Sequence, residues 1–254
     1  NAYKMVAEDI EREKFPVHIS GCIDTQKCHL IYGLSHSEHW RVIIASNEIK
    51  AREIYDDYKL FDRDVLFYPA KDIIFFGADI QGSAISTERL KVVDAMLKND
   101  SGTIVTTIDA GLDCIMDSQA SKSSRFVIGE TDIVNMDILE KKLVDMGYER
   151  QTQVEKPGDF SVRGGITDIF PITMDCPVRI EFFDNEVDTI RAFDVQSQRS
   201  IERMDKVEVT PAAEMTLSDE QLKAALKKIE KEYQKMLEKF RKEKNHDAIN
   251  RLTD

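Results

Sequence analysis

Residues 156–192, KPGDFSVRGGITDIFPITMDCPVRIEFFDNEVDTIRA, decide the fold. Phe160-Ser161-Val162-Arg163 alternates apolar and polar residues, the period of a strand with one buried face. Gly164-Gly165 breaks the pattern where a tight hairpin needs positive φ. Residues 166–170 (ITDIF) read as the return strand, stopped by Pro171, which has no N–H to give to a ladder. Residues 178–183 (VRIEFF) form a third strand, Asp184-Asn185 a turn, and residues 187–193 a fourth. Together they predict an antiparallel meander. Alternation places Ser161 and Arg163 on one face, with Phe160 and Val162 on the core face. In the third strand Arg179, Glu181 and Phe183 share one face, while Val178, Ile180 and Phe182 share the core face. Arg163, Arg179 and Arg191 therefore lie in strands with aromatic or acidic neighbours. Such arginines make either a wet sheet face or, beside Phe183, a recognition face with the composition of interface hot spots.

Before this meander, short apolar strands alternate with amphipathic helices. Residues 16–20 (PVHIS), 40–46 (WRVIIAS), 65–68 (VLFY) and 103–107 (TIVTT) read as strands, the second apolar enough for a parallel sheet covered on both faces. Asn47 can cap a helix with Ile49, Ile54, Tyr55 and Tyr58 as its core residues. A further helix starts at Ser86 or Thr87 after the loop-like Gly82-Ser83, and Phe75-Phe76-Gly77 is apolar without a period. The pattern predicts a three-layer α/β domain. Between the first strand and its helix lies Gly21-Cys-Ile-Asp-Thr-Gln-Lys-Cys28. A working phosphate loop reads G-x-x-x-x-G-K-[ST]. Gly21 and Lys27 have the right spacing, but Gln26 crowds the place of the second glycine. Cys28 puts a thiol where hard Mg²⁺ wants a hydroxyl. By itself this could be a chance Gly and Lys at a strand–helix turn. The small polar run at residues 118–124 (SQASKSS) reads as a linker, after which Asn135 or Asp137 caps a helix ended by Gly147.

The run PGDFSVRGGITDIFP, residues 157–171, followed by PVRIEFFDNEVDTIRAFDVQSQRS, residues 177–200, closely resembles the domain shared by the bacterial transcription-repair coupling factors (Mfd) and the excision-repair protein UvrB. Its tail, FDVQSQRS, looks more like Mfd. The resemblance implies a RecA-like three-layer α/β domain with a degenerate P-loop at residues 1–122. It implies a smaller α+β domain with an antiparallel sheet, like domain 2 of UvrB, at 123–210, and a helical segment returning to the first domain at 211–254. It also implies an amino-terminal, non-catalytic fragment whose task is to recruit UvrA, the damage-recognition ATPase, to stalled RNA polymerase for nucleotide excision repair. Arg163, Arg179 and Phe183 fall at the family's UvrA-contact positions, and Arg191 is added from the adjoining strand. Gly21, Gln26, Lys27 and Cys28 become the relic of a nucleotide loop, and no cofactor is expected. RNA polymerase, duplex DNA and ATP are partners of the full-length relatives through other regions. In those proteins the UvrA surface is expected to be masked by a distant domain. Two rival readings remain open: a fragment of a UvrB-type ATP-dependent helicase, and a stand-alone nucleotide-binding regulator.

Composition narrows the remaining classes. The net charge is −12 over 254 residues, which argues against gripping nucleic acid, since that affinity rests on phosphate neutralisation. No apolar run approaches bilayer length, so a cytoplasmic protein is expected. Cys22, Cys28, Cys114 and Cys176 have no metal spacing and read as free thiols. His36 and His39 lack a third ligand, His18, His29 and His246 are scattered, and Asp24, Asp109 and Asp113 read as caps and surface charges. From residue 217 the chain is almost all helix formers, with Ser218 as a cap. Leu222, Leu226, Ile229, Tyr233, Met236, Leu237 and Phe240 form one stripe, which suits a helix packed on its own domain or, less simply, a coiled coil.

Overall fold

The computed structural model describes residues 2–34, 39–71, 79–113, 122, 124–215, 219–243 and 245. His36, Cys114, Ser218, His246, the Phe75-Phe76-Gly77 run and most of the SQASKSS run lie outside these residues. Asn1–Glu214 make one compact unit and Met215–Asp254 a second.

The first unit opens with helix α1 (Ala2–Glu11) and helix α2 (Asp24–Leu34). A three-stranded parallel sheet follows, from β1 (Trp40–Ala45), β2 (Leu66–Tyr68) and β3 (Gly102–Thr107), in the order β1-β3-β2. Glycine at position 102 makes room for the Trp40 ring, which a Cβ there would meet at 2.5 Å. Helix α3 (Glu48–Tyr58) is capped by Asn47, whose Oδ1 accepts from the Lys50 N–H at 2.9 Å. Cys28, Ile43, Ala45, Ala51, Tyr58, Val65, Phe67 and Val105 close one core between α2, α3 and the sheet.

Four expectations fail here. Residues 16–20 form no strand; Pro16 has no N–H to donate, and Phe15 and Ile19 are exposed rather than packed against a sheet. Strand β1 is parallel but sits at the sheet edge, with Val42 and Ile44 exposed, so it is not covered on both faces. On α3, Ile49 points outward and the small Ala51 takes the buried place, because close helix–sheet contact favours it. Helix α4 (Asp79–Lys98) also starts earlier than Ser86, running through Gly82-Ser83. Helix α5 (Ile108–Leu112) follows β3 directly, with Thr107 Oγ1 accepting from the Ala110 N–H at 3.3 Å.

The second core of this unit belongs to the antiparallel part. Strands β5 (Glu149–Arg150), β6 (Asp159–Arg163), β7 (Ile166–Ile169), β8 (Val178–Phe183), β9 (Glu186–Phe193) and β10 (Ser200–Arg203) form a six-stranded sheet in the order β10-β9-β8-β7-β6-β5. Helix α6 (Met136–Asp145), capped by Asn135, buries Leu139 and Leu143 with Phe160, Ile169, Val178, Ile180, Val187 and Ile190. Val162 and Phe182 are only partly buried against this core. Gly147, at φ +88°, ends α6; there a Cβ would lie 2.4 Å from that of Ala213. Strands β4 (Phe126–Gly129) and β11 (Lys206–Val209) pair separately. They are tied to α4 by ion pairs: Arg125 to Asp94 at 3.1 Å and Lys98 to Glu208 at 2.5 Å. Burial alone would raise the Glu208 carboxyl, but Lys98 and Arg125 outweigh it and hold it below the usual range.

The second unit contains helix α7 (Asp219–Lys242). Ala225, Ile229, Tyr233 and Met236 line one apolar strip along it, with Leu222 and Leu226 exposed.

Candidate protein-docking site

Register builds the site. The turn at Gly164, φ +59°, pairs Arg163 with Ile166 and therefore Ser161 with Asp168. Asp168 faces Arg179 on β8, and Arg179 faces Arg191 on β9. Directly opposed residues share a face, so Ser161, Asp168, Arg179 and Arg191 make one row across β6–β9. Asp168, 1% exposed, is its centre. Arg179 donates to it twice, from Nε to Oδ1 at 2.7 Å and from Nη2 to Oδ2 at 2.8 Å. Arg163 Nη2 donates to Oδ2 at 3.1 Å. A buried carboxylate is tolerable only when paired in this way, and the planar guanidinium fork fits it bidentately. These bonds also push the Arg179 pKa up, with burial working against them.

Further partners fix the fork. Arg179 Nη2 donates to Gln198 Oε1 at 3.1 Å, and its guanidinium lies 4.5 Å over the Phe193 ring. Gln198 is presented by a turn in which Asp194 Oδ1 accepts from the Ser197 N–H at 2.8 Å and hydroxyl at 2.7 Å. Those bonds hold the Asp194 carboxyl below its usual range. Arg191 Nη2 lies 3.7 Å from Glu181, which also accepts from the Thr189 hydroxyl at 3.1 Å.

The result is a graded face. Side-chain exposure is 54% for Arg163, 39% for Arg191 and 23% for Arg179. Phe183 is 80% exposed beside them, next to a register shift between Glu181 and Phe182. A uniform wet face is therefore not what forms: Ser161, Asp168 and Phe193 on it are buried, and Arg179 belongs half to the fold. Sequence reading missed Asp168, Gln198 and Phe193. The first was accessible from the hairpin register; the second needed the Asp194 turn. Chemically the face offers guanidinium edges and a bare phenyl ring. No cluster of three or more His, Cys, Asp or Glu suited to a metal occurs among the described residues.

The residues of the nucleotide-loop reading are arranged differently. Gly21 has φ +82°, but α2 already begins at Asp24, so Gln26, Lys27 and Cys28 are helical. Gln26 Oε1 lies 3.4 Å from the Ile23 N–H, which donates to it. Lys27 Nζ pairs with Asp24 at 2.9 Å, and this holds the Asp24 carboxyl below its usual range. Cys28 is buried in the first core, and that burial, with Asp57 and Asp24 nearby, pushes its thiol up.

Comparison with known proteins adds independent findings. Residues 127–215 match the family described as "UvrB interaction domain". The chain is similar to the transcription-repair-coupling factor of Bacillus subtilis (strain 168), 34% identical over 209 residues, which are 82% of this chain and 18% of that protein. It is similar to the protein of that name from Staphylococcus epidermidis (strain ATCC 12228), 29% identical over 232 residues, 90% of this chain and 20% of that one. The one from Staphylococcus aureus (strain NCTC 8325) is 28% identical over 215 residues, 84% and 18%. The chain thus spans about a fifth of the length of the curated relatives it matches.

Proposed function

The chain is a relative of the transcription-repair-coupling factors and carries a UvrB interaction domain at residues 127–215, and on that premise we propose that it is a non-catalytic docking module that recruits UvrA. The observation that carries this reading is the pairing of a fixed arginine face with a bare aromatic. Phe183 is 80% exposed while the neighbouring Arg179 and Arg163 are oriented by one buried carboxylate. Aromatics and arginines are the residue types that dominate binding energy, and the arginines, already oriented, have less side-chain entropy to lose. Arg163 and Arg191 supply the charge to be met by carboxylates of the partner, and Phe183 an apolar anchor. In this reading residues 1–122 are the scaffold and their loop takes no nucleotide. RNA polymerase, duplex DNA and ATP engage other parts of the longer relatives, and the protein works in the cytoplasm. Among the described residues no helix is long and apolar enough to cross a membrane. The test is a titration of the purified chain with UvrA. Saturable binding that weakens about ten-fold or more for Phe183→Ala and for Arg163→Ala is the expected result; no binding, or binding indifferent to both changes, overturns it.

A further inference from the structure

Ile133 is 85% exposed, more than Phe183, and no known feature of the fold explains it. It precedes α6 in a short segment bonded along the start of β9. Thr131 N–H donates to Val187 O at 2.9 Å, Val187 N–H to Asp132 O at 2.9 Å, and Val134 N–H to Asn185 O at 2.8 Å. Ile133 itself bridges Glu186 in antiparallel register, and Glu186 faces Phe183 on β8. Opposed residues share a face, so Ile133, Glu186 and Phe183 form one transverse row, with the two apolar side chains roughly 10 Å apart, two strand spacings. The Phe183 face is that of Glu181 and Arg179, two and four residues back along the same strand.

Single exposed hydrophobics need no explanation. Two in one transverse row, flanking Glu186 on strands held in register by backbone hydrogen bonds, do. The segment is anchored further. Asp132 Oδ2 accepts from the Gly129 N–H at 2.7 Å, Thr131 takes the left-handed φ of +69°, and Glu130 receives Arg203 Nε at 2.8 Å. We infer that Ile133 is a second apolar anchor of the UvrA-docking surface, extending it from Phe183 across the start of β9. The inference rests on the function proposed above. The surface adjoins the arginine face along β8, past Glu181, and its pattern fits one partner patch: carboxylates opposite Arg163 and Arg191, then two apolar groups that meet Phe183 and Ile133 on either side of Glu186.

The experiment is a titration of UvrA with the full chain carrying Ile133→Ala, Ile133→Glu, Phe183→Ala or Arg163→Ala, each also melted thermally. Because Ile133 is exposed, both of its variants are expected to melt with the parent protein. Ile133→Ala should weaken binding about ten-fold and Ile133→Glu more, alongside losses for Phe183→Ala and Arg163→Ala. If both Ile133 variants bind like the parent while Phe183→Ala and Arg163→Ala weaken, the second anchor is wrong and the docking function stands. If none of the four changes binding, the docking function fails and the inference with it.

Discussion

Two regions of this chain set a basic side chain beside an acid, and they do so to opposite effect. In the first turn of α2, Lys27 meets Asp24 three residues away, both in solvent. On the antiparallel sheet, Arg179 and Arg163 come from different strands to a carboxylate that the fold has buried. The first kind of pair is local, screened and worth little, and it uses up a cation without organising it for anything else. The second holds two guanidiniums in one orientation while leaving one of them largely in solvent. Similar charges therefore yield a closed helix turn in one place and a prepared surface in the other.

Removing the acids sharpens that contrast most. Asp168→Ala is expected to cost roughly 3 kcal/mol in urea unfolding, because two guanidiniums lose the carboxylate that justified their placement. Asp24→Ala should leave the urea midpoint unmoved. Next in size, Arg179→Ala should cost about 2 kcal/mol of stability, since it strips the bidentate partner from a buried charge. It therefore confounds folding with binding, which Phe183→Ala does not. A smaller effect concerns pH. Glu208, Glu130 and Asp194 are all held below their ordinary values, Glu130 chiefly by its bond from Arg203. A carboxyl lowered in the folded state stabilises above its unfolded pKa and loses that contribution as protons are added. The melting temperature should accordingly fall as pH drops below about 4.5, with no comparable change between pH 6 and 8. The smallest effect is expected at the loop: calorimetric titration with Mg-ATP should show no saturable binding in the micromolar range, about −8 kcal/mol. Saturable binding there would erase the contrast, since α2 would then have to open and release Lys27 from Asp24.

How much of this was legible in the sequence depends on the range of the interactions. The meander could be read almost strand for strand, because period-2 alternation and the Gly164-Gly165 turn are local signals. The same register already put Asp168 opposite Ser161, on the arginine face. What it could not give was burial: nothing local says that the 152 region covers Ser161, whose hydroxyl reaches the Thr152 carbonyl at 3.4 Å. In the parallel part, the strands read at 40–46 and 103–107 lie within one residue of those found, but β1 as an edge was not legible, because neighbour order is set by tertiary pairing. Residues 16–20 failed as a strand for the same reason: an apolar run is a strand only where a partner edge exists. Helix α4 ran past Gly82-Ser83 because a 20-residue helix outweighs two unfavourable propensities. Ile133 gave no signal at all, since its neighbour in the row lies more than fifty residues away in sequence.

The central claim is that the prepared face, and not the loop, is where this chain meets its partner. It is tested most directly by measuring UvrA affinity and thermal melting side by side for Phe183→Ala and Lys27→Ala. The account predicts that both variants melt with the parent, that Phe183→Ala loses roughly 2 kcal/mol of binding, and that Lys27→Ala loses none. Full UvrA affinity in Phe183→Ala, or a loss confined to Lys27→Ala, would contradict it.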